Sequence, residues 1–307
     1  MKVFFDPRQV AAAESFSPSA GKPGLVVDSW RRRGVPFVIR SFDPLTLDQM
    51  ALAHSPAYIK NILSRKQTNG FGNRSKSVAD SLPWVCGSMA AAAQCSFETG
   101  ETCFSPTSGA HHAGYNFGGG FCTFNSLMIA VQLLRQTFSD TRVAIIDCDA
   151  HFGNGTEDII RRLRIPEVSH YSFGHERLRT RRMSPRDYHA ADGIYDPDVE
   201  EWLEELPGKM WGYLKGCDVA IFNAGVDPHI DDPLGGYLTT EEMAQRDDIV
   251  LRTAFECGVP VALALAGGYQ KGANDSINAV LSLHDTTFET AVRYDRGSLA
   301  TIERRSA

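Results

Sequence analysis

Asp147, Asp149 and His151 alternate strictly at the end of an apolar run, in Val143-Ala144-Ile145-Ile146-Asp147-Cys148-Asp149-Ala150-His151-Phe152-Gly153-Asn154-Gly155. Period-two spacing puts the three on one face while the chain stays extended. Two carboxylates and an imidazole gathered at the end of a buried strand are costly unless something positive stands among them. A metal is the economical answer, and Asp with His suits Zn2+ or a similar divalent ion. Hydrogen bonds that cap a loop are the alternative.

Three further segments carry chemistry. In Ser108-Gly109-Ala110-His111-His112-Ala113-Gly114, two adjacent imidazoles stand among small residues. They are followed by Asn116-Phe117-Gly118-Gly119-Gly120-Phe121-Cys122, whose glycines let backbone approach a ligand closely. In Phe222-Asn223-Ala224-Gly225-Val226-Asp227-Pro228-His229-Ile230-Asp231-Asp232-Pro233-Leu234-Gly235-Gly236, a buried strand runs into acids. Any one of Asp227, Asp231 or Asp232 could reach a site there, although Asp before Pro also serves turns. In Val261-Ala262-Leu263-Ala264-Leu265-Ala266-Gly267-Gly268-Tyr269, two glycines put a phenol at a strand end.

These segments need a scaffold that brings strand ends together. Apolar, β-branched runs recur at Lys2–Phe5, Pro36–Ile39, Arg142–Asp147, Glu167–Ser172, Asp218–Asn223 and Val259–Ala266. Several are apolar almost throughout, as strands covered on both faces should be. Helical patterns fall between them, at Pro56–Leu63, Ser88–Cys95, Asn125–Phe138 and Thr240–Cys257. The alternation predicts a parallel α/β sheet with helices on both faces and ligands beyond the carboxyl ends of the strands. No linker interrupts it, so residues 1–307 read as one domain.

Composition narrows the function. Thirty-seven acids against thirty-one bases leave a formal charge of −6, which argues against a general nucleic-acid binder. No apolar run reaches ~18 residues, so no membrane span is expected. The start lacks a signal-peptide core. Seven cysteines, at 86, 95, 103, 122, 148, 217 and 257, include no C-x-x-C pair and suit a reducing, cytoplasmic setting.

The four segments in this order resemble the zinc-dependent histone deacetylase family, which also holds acetylpolyamine amidohydrolases. The resemblance runs from about residue 50 to 285, beginning at His54-Ser55-Pro56-Ala57-Tyr58. It implies the arginase–deacetylase fold, a three-layer α/β/α sandwich around an eight-stranded parallel sheet. It implies one zinc ion held by Asp149, His151 and, from the Asp-Pro-Leu-Gly segment, Asp232. It maps the tandem histidines to His111 and His112, oriented by Asp147 and Asn154, and the oxyanion donor to Tyr269. Gly120 and Phe121, with Gly267 and Gly268, would line the substrate tunnel. Asp147, Asp149, His151, Ser172 and Phe173 would hold a structural potassium ion. The implied activity is hydrolysis of an acetylated amine, either acetyl-lysine in a protein or a small acetylated amine, with longer acyl groups or a weakly catalytic acyl-lysine binder as alternatives.

The chain departs from the family in places. Phe152 replaces the second histidine that usually follows the zinc ligand. The His-Pro-Glu segment and the channel arginine have no clear counterpart near Lys22-Pro23-Gly24. The usual Phe-Phe-Pro-Gly tunnel wall gives way to His175-Glu176-Arg177-Leu178-Arg179-Thr180-Arg181-Arg182-Met183, within an irregular stretch at Gly174–Pro197. That stretch is expected to set substrate choice. Its arginines are a solvated loop, or they meet an acidic substrate or a neighbouring subunit of a homo-oligomer. A binuclear arginase-type site would need an acid where Gly153 stands.

Overall fold

A computed structural model describes residues 1–176, 178, 198–295 and 297. Its strands are β1 (Lys2–Phe4), β2 (Val38–Arg40), β3 (Cys103–Ser108), β4 (Val143–Asp147), β5 (Val168–Ser172), β6 (Val219–Gly225) and β7 (Val261–Ala266). They form one sheet in the order β2-β1-β3-β7-β6-β4-β5, and every pairing is parallel. The sheet therefore has seven strands among the described residues, where the resemblance implied eight.

The central strands distribute their side chains between two cores, as a period of two requires. Ala144, Ile146, Phe222, Leu263 and Leu265 enter one core, which they share with α1 (Lys22–Arg33), α7 (Val199–Leu214), α8 (Thr240–Cys257) and α9 (Asn278–Arg293). Val143, Ile145, Ile221, Ala262 and Ala264 enter the other, with α3 (Pro56–Leu63), α4 (Lys76–Thr99), α5 (Ser126–Thr137) and α6 (Asn154–Leu163). A short α2 (Leu47–Met50) completes that layer. The result is helix, sheet, helix. Among the described residues, no helix is long and apolar enough to cross a membrane.

Local signals set the helix ends. Thr239 accepts from the Glu242 N–H and the Glu242 side chain accepts from the Thr239 N–H, a capping box that starts α8. Gly258, at φ 77°, ends that helix in the left-handed conformation that glycine adopts without strain. Asn125 caps α5 by accepting from the Met128 N–H.

β3 was not among the expected strands. Its sequence, Cys103-Phe104-Ser105-Pro106-Thr107-Ser108, looks like a turn, and its pairing with β7 shifts register between Ser105 and Ser108. Partners inside the protein make its polarity tolerable: Ser105 Oγ lies 2.7 Å from Ser88 Oγ and 2.8 Å from Thr107 Oγ1. β3, β7, β6 and β4 are neighbours, so their carboxyl ends open onto one edge of the sheet.

Candidate active site

The loop after β4 carries Asp149 and His151, and the loop after β6 carries Asp227. Ligand atoms of these three residues lie within 4.8 Å of one another. His151 Nδ1 stands 3.0 Å from Asp149 Oδ1 and 3.0 Å from Asp227 Oδ2. Both carboxylates are buried. Burial, then the adjacent Asp149, pushes Asp227 up to about 7. Burial also opposes ionisation of Asp149, but His111 and His151 outweigh it and hold this acid well below the usual carboxylate range. One imidazole nitrogen with two buried carboxylate oxygens is a donor set that zinc accepts. The residues present therefore fit a divalent ion of the zinc type.

Asp232 stands near this group, where the charges of Asp149 and His151 act on its carboxyl. Its Oδ2 accepts from the Tyr269 N–H at 2.7 Å and its Oδ1 from the Leu234 N–H at 3.0 Å. One oxygen of Asp232 thus braces the loop that carries Tyr269 and the other its own turn, while Asp227 completes the close group with Asp149 and His151. Asp227 follows the last residue of β6 by two positions, as Asp149 follows β4, whereas Asp232 lies beyond a further turn. Asp231 is exposed.

The two histidines follow β3. His111 Nδ1 lies 2.6 Å from Asp147 Oδ2, and His112 Nδ1 lies 2.6 Å from Asn154 Oδ1. Their rings are 4.1 Å apart, and the His112 ring is 5.8 Å from that of His151. Burial opposes a charge on His111, but Asp147 and Asp149 outweigh it and raise its pKa to about 9. Burial, and then the charge on His111, lowers that of His112. One imidazole is therefore a cation at neutral pH and its neighbour is neutral, because one is paired with a carboxylate and the other with an amide. Asp147 Oδ1 also accepts from Asn223 Nδ2 at 2.7 Å, so this carboxylate is fixed from two sides.

Glycines allow the close approach. A Cβ on Gly120 would stand 2.4 Å from His112 Cδ2, and one on Gly267 would stand 2.2 Å from Asp227 Cγ. Gly120, Gly267 and Gly268 have φ values of 52°, 51° and 88°, and Phe121 shares the left-handed region at 64°. The Phe121 ring lies 5.5 Å from that of Tyr269, and Phe16 of the N-terminal segment stacks on Tyr269 at 6.1 Å. Tyr269 is buried, which drives its hydroxyl to stay protonated as a donor.

The structure also shows residues that sequence reasoning missed. Lys22 lies wholly inside, with Nζ 2.6 Å from the Gly267 carbonyl oxygen and 3.1 Å from His284 Nε2. It occupies the segment in which no channel arginine had a counterpart. Burial lowers its pKa to about 8 against the opposing pull of Asp227, Asp149 and Asp232. His54 Nδ1 donates to the Gly114 carbonyl and its Nε2 accepts from the Asn125 N–H, which ties the histidine loop to α5. Phe152 stacks on His175 at 3.7 Å. Ser172 pairs with Asp147 in the sheet register and its Oγ accepts from the Gly153 N–H, while the Phe173 side chain packs into the core. Of the Arg177–Arg186 segment only Leu178 is described, so the expectation about its arginines falls outside the described residues.

Fold and site together define a parallel α/β/α protein with a potential metal-binding Asp-His-Asp triad at its carboxyl edge. The histone deacetylase domain matches residues 22–283, and the chain belongs to that family of deacetylase hydrolases. It is 30% identical over 252 residues to an uncharacterized protein of Picosynechococcus sp., covering 76% of this chain and 80% of the relative. It is 30% identical over 184 residues to acetylpolyamine amidohydrolase 1 of Pseudomonas aeruginosa, covering 55% of this chain and 51% of that enzyme, about half its length. The HDA15 HD domain shares the fold, with a TM-score of 0.73 at 19% identity over 95% of this chain and 90% of that domain.

Proposed function

We propose that this protein is a zinc-dependent deacetylase that hydrolyses the amide of an acetylated amine to the free amine and acetate. The observation that carries this reading is the pairing of unlike histidines, His111 on Asp147 and His112 on Asn154, beside the triad of Asp149, His151 and Asp227. When bound, a divalent ion there would acidify a water molecule and polarise the amide carbonyl. His112, neutral and oriented by Asn154, takes the proton of the attacking water and returns it to the departing amine. His111 keeps its positive charge and stabilises the negative charge that develops nearby. Tyr269 donates its hydroxyl hydrogen to the carbonyl oxygen as that oxygen gains charge. Gly120 and Phe121 border the approach. Asp147, Asp149, His151, Ser172 and Phe173, gathered at the ends of β4 and β5, are the residues that would hold a structural potassium ion.

The substrate is an acetyl-lysine side chain or a small acetylated amine such as an acetylpolyamine. The P. aeruginosa relative, named an acetylpolyamine amidohydrolase, supports the second class. The test is a turnover screen of acetyl-lysine peptides and acetylpolyamines with metal content measured on the same sample. Hydrolysis that disappears on chelation and returns with zinc is expected. Zinc-loaded protein that turns over neither class would overturn the reading.

A further inference from the structure

Asp149 and His151 follow β4, and Asp227 and Asp232 follow β6, so the site depends on how those two strand ends are held relative to each other. The last register pair of the two strands is Asp147 with Asn223, and the Cys148 N–H donates to the Asn223 carbonyl at 3.0 Å. Past that point the backbones remain in close contact: a Cβ on Gly225 would stand 2.4 Å from Asp149 Cα.

A side chain from the helix layer reaches both strand ends. Arg246, in α8, is wholly buried, and its Nη1 donates to the Cys148 carbonyl at 3.1 Å and to the Gly225 carbonyl at 2.7 Å. Cys148 adjoins Asp149, and Gly225 is the last residue of β6, two before Asp227. One nitrogen therefore bridges the two strands where the site begins. The rest of the guanidinium is anchored. Its Nε and Nη2 both donate to Asp247 Oδ1, at 2.9 and 2.6 Å, and Thr287 Oγ1 of α9 donates to Asp247 Oδ2 at 2.6 Å. A planar fork engaged on both sides has little freedom left.

Stability alone is a poor account of this arrangement. An ion pair taken wholly out of water contributes little net stability, and well-packed apolar residues of similar volume often do as well. Apolar residues could not donate to two carbonyls.

We infer that Arg246 is a positioning residue for the metal centre: it fixes the loops after β4 and β6 against each other, and so sets Asp149 and His151 against the acids that follow β6. Asp247 and Thr287 hold the guanidinium in place for that task. The inference rests on the metal-dependent reading above and adds a residue that acts through backbone carbonyls. Outer partners that orient metal ligands change metal affinity by roughly 10–100-fold when they are removed.

The test compares wild type with two variants, each prepared metal-free. Arg246→Met combined with Asp247→Leu removes both charges at similar volume, and Thr287→Val loosens only the anchor of Asp247. Each protein is titrated with zinc against a chelating indicator, and with cobalt(II), whose visible absorption reports ligand geometry. The metal-free double variant should melt close to wild type, yet bind zinc about tenfold or more weakly and show altered cobalt bands. Thr287→Val should change both readings in the same direction and by less. A folded double variant with wild-type zinc affinity and cobalt spectrum would reduce Arg246 to a packing role and overturn the inference, while leaving the metal reading intact. If the double variant does not fold, Thr287→Val decides by the same two readings. Wild type that binds neither ion would overturn the metal reading, and the inference with it.

Discussion

The ammonium of Lys22 donates to the carbonyl oxygen of Gly267 at 2.6 Å, deep inside the protein. This contact joins the first residue of α1 to the turn that follows β7, two residues before Tyr269. A buried cation without solvent must find acceptors, and here they are a backbone oxygen and His284 Nε2. Burial and the neighbouring Lys22 charge keep His284 neutral, so that nitrogen can accept. Lys22 is thus a positioning residue for the Gly267-Gly268-Tyr269 turn.

Lys22→Met removes the donor and keeps most of the stem. The Gly267 carbonyl is then buried without a partner, at a cost of about 1–3 kcal/mol. The expected result is a lower urea midpoint and a kcat reduced at least tenfold, with zinc stoichiometry retained. A variant of unchanged kcat would show that the turn holds Tyr269 without the lysine.

Asp227 and Asp232 should separate cleanly. Asp227→Asn takes a carboxylate from the triad and should abolish zinc retention. Asp232→Asn keeps a side-chain acceptor for one of the backbone N–H groups of Tyr269 and Leu234, so zinc should stay near one per chain while kcat falls. Metal analysis of the two dialysed proteins decides the matter. Loss of zinc in the Asp232 variant alone would make Asp232, and not Asp227, the ligand.

Tyr269→Phe keeps the ring between Phe16 and Phe121 and removes only the hydroxyl. A donor aimed at developing negative charge is worth roughly 10²–10³ in kcat. Turnover should fall by that factor with the thermal midpoint and zinc content nearly unchanged. Near-normal turnover would place the oxyanion donor elsewhere.

His54 should give the fold an acid-sensitive step. Burial lowers its pKa to about 4 against the opposing pull of the Gly114 and Tyr115 backbone, and Nε2 accepts from the Asn125 N–H, which only the neutral ring can do. In the unfolded chain it titrates near 6.5. Above that pH neither state is protonated and the contribution is complete. As pH falls from about 6.5 to 4 the unfolded chain takes up a proton that the folded protein refuses, and roughly 3 kcal/mol of stability is lost. His54→Gln removes the titration. The stability difference between wild type and variant, from urea unfolding at pH 7, 5.5 and 4.5, should therefore shift against the wild type as pH falls. A difference independent of pH would refute the assignment.

Much of the architecture is written locally. The apolar runs that become β4, β6 and β7 are legible because strands buried on both faces have few polar positions. The bounds of α8 follow from a capping box and a terminal glycine. Asp149 and His151 can be read from period-two spacing after a strand, and the histidine pair from its glycine-rich setting. Other features depend on contacts remote in sequence. β3 is a strand because its hydroxyls find Ser88 and its backbone finds β7, neither visible in Cys103-Phe104-Ser105-Pro106-Thr107-Ser108 itself. The approach of Asp227 to Asp149 was set by register across β4 and β6, which places Gly225 against Asp149, while Asp232 reaches the Tyr269 backbone from a later turn. The burial of Lys22 was decided by an oxygen 245 residues away. Spacing along the chain determines which side chains share a strand or helix face, because the backbone repeat is local. Which carboxylate meets which imidazole depends on how separate strand ends are aligned, and only the packed sheet sets that alignment.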